Sequence, residues 1–215
     1  MKYKFKVPIE DWYDVRDGKS FSMGFNPGFT CIVGPNGTGK STSMIQIGNY
    51  CENNSIPFYA FDYTRITKMH ELKGPGMLVR SLTSSEGENI PIWIESVIRT
   101  IGSKVREAEA FGKPCVILFD AVDSGASIDM IRYMKNDIFD MILQLEIKKG
   151  NEVYIIVSSN TFEMARNADC VIAFNGKHKT FKTYSAFEKF ILSNSKIEDT
   201  SLELKEIGNY GNEQE

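Results

Sequence analysis

The segment Gly34-Pro35-Asn36-Gly37-Thr38-Gly39-Lys40-Ser41 constrains this chain more than any other, because it completes the pattern G-x-x-x-x-G-K-[ST]. Its context matches the pattern: the apolar run Phe29 to Val33 reads as a strand before it, and Ser41 to Tyr50 reads as a helix after it. Each residue type answers a demand of phosphate chemistry. Glycines let backbone N–H groups converge on phosphate oxygens, and a helix N-terminus adds a favourable dipole. Lys40 is placed to neutralise the β- and γ-phosphates of a nucleotide, and the Ser41 hydroxyl to ligate Mg²⁺. Thr42 is placed to donate to the α-phosphate. The expected nucleotide-binding set is Gly34, Asn36, Gly37, Thr38, Gly39, Lys40, Ser41 and Thr42.

A second element complements the first. The run Val116 to Phe119 is continuously apolar, as in a strand covered on both faces, and it ends in Asp120. An acid at the C-terminal end of such a strand stands at the sheet rim where α/β proteins bind ligands, so Asp120 is expected to hold the Mg²⁺ through a water. Further strands are expected at Lys2 to Ile9, Ile56 to Phe61, Val153 to Val157 and Val171 to Phe174. Asn175-Gly176 predicts a hairpin turn into a strand from Lys179 to Tyr184. One helix is expected around Ile94, Val97, Ile98, Ile101, Val105 and Ala108, with Gly112 past its end. Another runs from about Ile128 to Lys149 with Ile131, Met134, Ile138, Met141, Ile142 and Leu145 inward. Ser185 with Glu188 predicts a capping box for the last helix. This alternation implies one α/β domain with a mainly parallel central sheet, an antiparallel N-terminal portion and flanking helices.

Composition narrows the class. With 215 residues, 42% of them apolar and 14 Phe and 9 Tyr among them, the chain has enough material for a core and is no disordered polymer. No apolar run approaches the ~20 residues that cross a bilayer, and the start lacks the pattern of a secretion signal. Cysteines at 31, 51, 115 and 170 have no metal-ligand spacing and read as buried thiols of a reducing compartment, so a cytoplasmic location is expected. The net charge of -3 sits in the tail. Residues 193–215 hold six acids against two bases, which leaves the body close to neutral. The domain is therefore expected over residues 1–192, with an irregular segment at about 64–112, and an acidic, flexible tail over 193–215. His70 and His178 are isolated, with solvated or capping roles expected. Arg65, Lys68, Lys73 and Arg80 form one basic patch and Lys177, Lys179 and Lys182 another, but nearby acids dilute the first, and edge lysines commonly block aggregation.

Over about residues 1 to 192 the chain resembles the ABC-type ATPases, a branch of the P-loop NTPases, and within them the soluble chromosome-maintenance and DNA-repair ATPases. Phe29 to Thr42 resembles that branch's nucleotide loop. Phe119-Asp120-Ala121-Val122-Asp123-Ser124-Gly125-Ala126-Ser127 resembles its metal-binding strand and D-loop. Val157-Ser158-Ser159-Asn160 stands where the switch-histidine segment would be. Ser84-Ser85-Glu86-Gly87-Glu88, just before a helix, resembles the signature motif. The resemblance implies that Ser85, Gly87 and Glu88 face the γ-phosphate held by a second copy, in a head-to-tail dimer enclosing ATP and Mg²⁺. Adenine contact is expected from the N-terminal strands, where Trp12 and Tyr13 lie.

Three departures bear on catalysis. Ala121 stands where the family has the Glu that polarises the attacking water. Asn160 replaces the switch histidine. Asp62 or Tyr63 occupies the place of the Q-loop glutamine. Loss of a general base typically costs about 10²- to 10⁴-fold in rate, whereas binding needs only the loop, Lys40, Ser41, Asp120 and Mg²⁺. Lys40, Asp120 and Asn160 remain as the catalytic set. The expected function is an ATP–Mg²⁺-dependent dimerisation switch with slow hydrolysis. The alternatives are an active ATPase working on nucleic acid, and a non-catalytic adaptor or inhibitor that engages another ATPase. Asp123 as a substitute base is a further option, although its position suits the D-loop better.

Overall fold

Strands covered on both faces need apolar side chains at nearly every position, and the central strands of this chain supply them. The computed structural model describes residues 4–9, 21–62, 86–124, 126–147, 150 and 152–195. Within them β3 (Gly28–Val33), β4 (Phe58–Asp62), β5 (Cys115–Asp120), β6 (Val153–Ser159), β7 (Asp169–Ile172) and β8 (His178–Lys179) form one six-stranded sheet in the order β4-β5-β6-β3-β7-β8. Every pairing is parallel except β7 with β8. A separate antiparallel pair, β1 (Phe5–Ile9) with β2 (Phe21–Phe25), is the N-terminal portion. β1 alternates as expected, with Phe5, Val7 and Ile9 buried and Lys6 and Pro8 exposed.

The period of two along each strand divides the core into two layers. Ile32, Val116, Leu118, Tyr154, Ile156 and Val171 pack against the β1–β2 pair and against α1 (Lys40–Asn53). Cys31, Val33, Ile117, Phe119, Ile155 and Val157 face the opposite layer. That layer is built by α2 (Glu86–Phe111), α3 (Ile128–Tyr133), α4 (Asp140–Ile147), the single turn α5 (Phe162–Ala165) and α6 (Tyr184–Asn194). All four cysteines are buried thiols, and none is in a disulfide. Burial pushes the Cys51 thiol up to about 12 and raises Cys31 strongly, the latter helped by its neighbour Cys170.

Several expectations are corrected. The helix expected from Ile128 to Lys149 contains a π-helical segment, Met134–Phe139, between α3 and α4. A π turn takes one residue more than an α turn, so the inward face shifts. Phe139 and Leu143 are buried with Ile131, Met134, Ile138 and Ile142, while Met141 is exposed. Phe139 thereby reaches the Phe119 ring at 4.8 Å and stacks on Phe29 at 5.8 Å. The last helix is capped by Thr183, whose hydroxyl accepts from the Ala186 N–H at 3.3 Å, and not by Ser185. That helix continues to Asn194, and residues 196–215 lie outside the described residues. The strand expected from Lys179 to Tyr184 shrinks to His178–Lys179 plus a bridge from Phe181 to Arg166. His178 is neither solvated nor a cap: its Nδ1 lies 2.7 Å from Asp169 Oδ1 and its Nε2 2.9 Å from the Gly24 carbonyl, tying β8 to β2.

The turn before β8 needs glycine. Gly176 has φ +66°, and a Cβ there would stand 2.5 Å from the Ser22 carbonyl oxygen. Gly112, past the end of α2, has φ +60° with nothing within 4 Å of a Cβ. Gly112→Ala is expected to cost only the left-handed penalty, about 1–2 kcal/mol. Gly176→Ala adds a backbone collision and should cost clearly more in urea denaturation. Equal costs would show that the turn shifts freely away from β2.

Candidate functional site

The loop strand, the acid strand and the strand between them end at one rim of the sheet. Register places Val33 beside Ser159, Ile32 beside Ser158, and Phe119 beside Val157. On the outer side Asp62 is the register partner of Asp120, at the same rim.

From Val33 the chain enters the loop. Gly37 and Gly39 adopt φ +74° and +85°, which glycine takes without steric cost. A Cβ on Gly34 would meet Thr38 Oγ1 at 2.5 Å, because the buried Thr38 hydroxyl donates to the Pro35 carbonyl at 2.7 Å. Thr38 is thus a strut inside the loop. Gly39 caps α1 without a side-chain bond, and the first turn of α1 carries no acid. The leading N–H groups of that helix therefore have no partner from within it and suit an anion. Ser41 stands exposed on this first turn, with Thr42 half-buried beside it.

Lys40 folds back over the loop. Its ammonium donates to the carbonyls of Gly34 at 2.8 Å and Pro35 at 2.9 Å. Burial pushes its pKa down, and the carboxylates of Asp123 and Asp120 oppose that shift. Those two acids and Lys40 therefore share one electrostatic environment. Such a buried ammonium, resting on neutral carbonyls, suits the oxygens of a phosphate.

Asp120 is held by the neighbouring strand. The Ser158 hydroxyl donates to Asp120 Oδ1, and the same hydroxyl accepts the Ala121 N–H at 3.1 Å. Ala121 has φ +55°, a left-handed conformation uncommon for a residue with a side chain. This bend follows the acid directly and carries only a methyl group. Val122 is fully buried, and Asp123 is 8% exposed. Asn160 follows β6 at the mouth, where its amide Nδ2 donates to Asn36 Oδ1 in the loop at 3.0 Å.

The structure thus brings together the phosphate loop, Lys40, Ser41, Asp120 and Asn160. The donor set fits a nucleotide with its magnesium: a helix start with no side-chain cap, a lysine hydrogen-bonded to two carbonyls, a serine hydroxyl and a carboxylate held through one oxygen. Sequence reasoning missed Ser158, whose hydroxyl only gains meaning once β5 and β6 pair. It also missed the strut role of Thr38. Ser85 lies outside the described residues. α2 begins at Glu86, so Gly87 and Glu88 belong to its first turn and do not precede it. Trp12, Tyr13, Tyr63, His70 and the basic patch from Arg65 to Arg80 also lie outside. In the other basic patch the Lys179 ammonium lies over the rings of Phe181 and Phe190, at 5.2 and 4.9 Å, and is already committed to packing. Among the described residues no cluster of three or more His, Cys, Asp or Glu forms a metal site, and no helix is long and apolar enough to cross a membrane.

Comparison with known proteins adds a family. The model of the ATPase family associated with various cellular activities (AAA) matches residues 30–172, about two thirds of the chain. No curated protein sequence matches. Among solved structures, a protein described as a metal-chelate type ABC transporter in an inward-facing conformation is 13% identical, with a TM-score of 0.40. That alignment covers 86% of this chain and 87% of the other, a likeness too distant to carry any inference.

The bridge made by Ser158 yields a prediction. Ser158→Ala removes a donor from Asp120 and leaves the Ala121 N–H unpaired, at an expected cost of about 1–3 kcal/mol in urea unfolding. A loss below about 0.5 kcal/mol, the range of ordinary surface substitutions, would mean that the hydroxyl does not bridge the two strands.

Proposed function

Because the chain belongs to the ATPase family associated with various cellular activities, we propose that it binds ATP with Mg²⁺ at the Gly34–Thr42 loop and hydrolyses it slowly. Nucleotide binding follows from the family and from the complete loop. The finer reading, that turnover is impaired, rests on one observation: the left-handed bend after Asp120 presents the methyl of Ala121, with no carboxylate at that position.

In this reading the chain's residues divide the work. The loop N–H groups and the start of α1 bind phosphate oxygens, and Lys40 exchanges the carbonyls of Gly34 and Pro35 for the β- and γ-phosphates. Ser41 and Asp120 hold Mg²⁺, which when bound draws charge from the phosphates. Asn160, at the loop mouth, orients the terminal phosphate or the water beside it. Asp123 is a poor candidate for the missing base, because Ser159, Asn160 and Thr161 all donate to its Oδ2.

A site that binds well and turns over slowly suits a switch. Its output is proposed to be a head-to-tail dimer of the ABC type, in which Ser85, Gly87 and Glu88 of one copy face the nucleotide of the other. The ABC-type arrangement, the kinship with chromosome-maintenance ATPases and any protein or nucleic-acid partner belong to this proposal.

Two measurements test it. Ala121→Glu restores a carboxylate at the bend and should raise ATP turnover at least about tenfold, the lower range of general-base effects being 10²-fold. Wild-type turnover equal to that of the variant would sink the impaired-site reading. Light scattering should show a shift to dimer with ATP–Mg²⁺ that Lys40→Met abolishes. A wild-type chain that stays monomeric at saturating nucleotide rules out the dimer switch.

A further inference from the structure

The bend after β5 and the end of β6 are joined by a second grip beyond the Ser158 bridge, and Asp123 is its centre. The Asp123 carboxylate is buried, and its Oδ2 accepts the Ser159 hydroxyl at 2.6 Å, the Asn160 N–H at 3.0 Å and the Thr161 N–H at 3.1 Å. The Ser159 hydroxyl accepts the Thr161 N–H in turn, at 3.0 Å. These bonds hold the backbone on both sides of Asn160, whose amide reaches Asn36 in the loop. A continuous set of contacts therefore runs from the acid strand through Asp123 and Asn160 to the phosphate loop.

The local chain conformation explains how Asp123 arrives there. Ala121 turns the backbone left-handed, the Ser124 N–H closes the turn on the Ala121 carbonyl at 3.1 Å, and Val122 anchors it in the core. Asp123 then points back toward the end of β6 and away from solvent. A buried carboxylate is costly unless it is hydrogen-bonded, and three donors from one tight turn satisfy it. Asp123 is also the strongest of the acidic influences on Lys40, which places it near the lysine without a direct bond to it.

We propose that Asp123 is a positioning residue of the nucleotide site: it fixes the Ser159–Thr161 turn so that the Asn160 amide is held against the phosphate loop, where a terminal phosphate would lie. This deepens the reading of slow ATP hydrolysis and rests on it. Asp123 touches no substrate. It acts through Asn160, so removing either residue removes the same contribution.

The test compares Asp123→Ala, Asp123→Asn, Asn160→Ala and the Asp123→Ala/Asn160→Ala double variant with the wild type. Amide hydrogen exchange at Asn160 and Thr161 is measured without nucleotide, and single-turnover hydrolysis and ADP affinity are measured on the folded proteins. Exchange at both amides should accelerate at least about tenfold in Asp123→Ala. Hydrolysis should fall about 10- to 100-fold, as for a reacting group misplaced by an ångström, with KM for ATP and affinity for ADP within about threefold. The double variant should be no slower than Asn160→Ala alone, and Asp123→Asn, which keeps an acceptor oxygen, should recover part of the rate. Unchanged exchange in Asp123→Ala overturns the proposal. So does a double variant that multiplies the two single losses, or a rate that falls only with the folded fraction. A wild type that binds neither ATP nor ADP instead overturns the reading of the preceding subsection, and the exchange measurement still decides whether Asp123 holds the turn.

Discussion

The insertion of β6 between the loop strand and the acid strand is the constraint on which the rest depends. Val153 to Ser159 is buried at every residue, so this strand must be covered by β3 on one edge, β5 on the other, and a core layer on each face. A strand that is apolar for most of its length and turns to Ser158, Ser159 and Asn160 only at its end delivers its polar atoms to one place, the sheet rim. There Ser158 meets Asp120, Ser159 meets Asp123 and Asn160 meets Asn36. The site is a consequence of the strand order, since loop and acid are not neighbours in the sheet and communicate through β6.

Apart from the exposed Asn160–Asn36 pair, the polar contacts at this rim occupy buried or half-buried positions, where unpaired groups are expensive. Each is satisfied by an element other than its own. Ser158 serves both Asp120 and the strained bend at Ala121, and Asp123 collects three donors from the turn after β6. Within the loop Thr38 and Lys40 bond to the loop's own carbonyls, which holds the glycine-rich segment in shape before any phosphate arrives. Lys40 is the exception in cost, because burial disfavours its charge. Its two acidic neighbours offset part of that, and an anionic ligand would offset more.

Legibility in the sequence followed how local each signal is. The phosphate loop, the strand before it and the helix after it were readable because glycine conformations and a helix N-terminus are set within a dozen residues. The buried strands were readable because continuous apolar runs have few other uses. The face of the Ile128 helix was misread at Met141, Phe139 and Leu143, since periodicity assumes 3.6 residues per turn and a π segment breaks that count. The cap at Thr183 was missed for a residue two places later, because Ser185 and Glu188 match a capping pattern whose geometry the chain does not adopt. His178 looked isolated for the simple reason that Gly24, one of its partners, is far away in the chain.

The sequence by itself determined that this chain builds a parallel α/β core with a phosphate loop and a strand-end acid, because those depend on residue type over short spans. It also placed Ala121, with no carboxylate, directly after that acid. Only the tertiary structure decided where Asp123 goes. In sequence Asp123 reads as a loop residue that suits a D-loop better than the part of a substitute base. Its burial and its three donors come from a turn 36 to 38 residues further along the chain. Hydrogen bonds over that separation are set by sheet order and register, which local residue patterns do not encode.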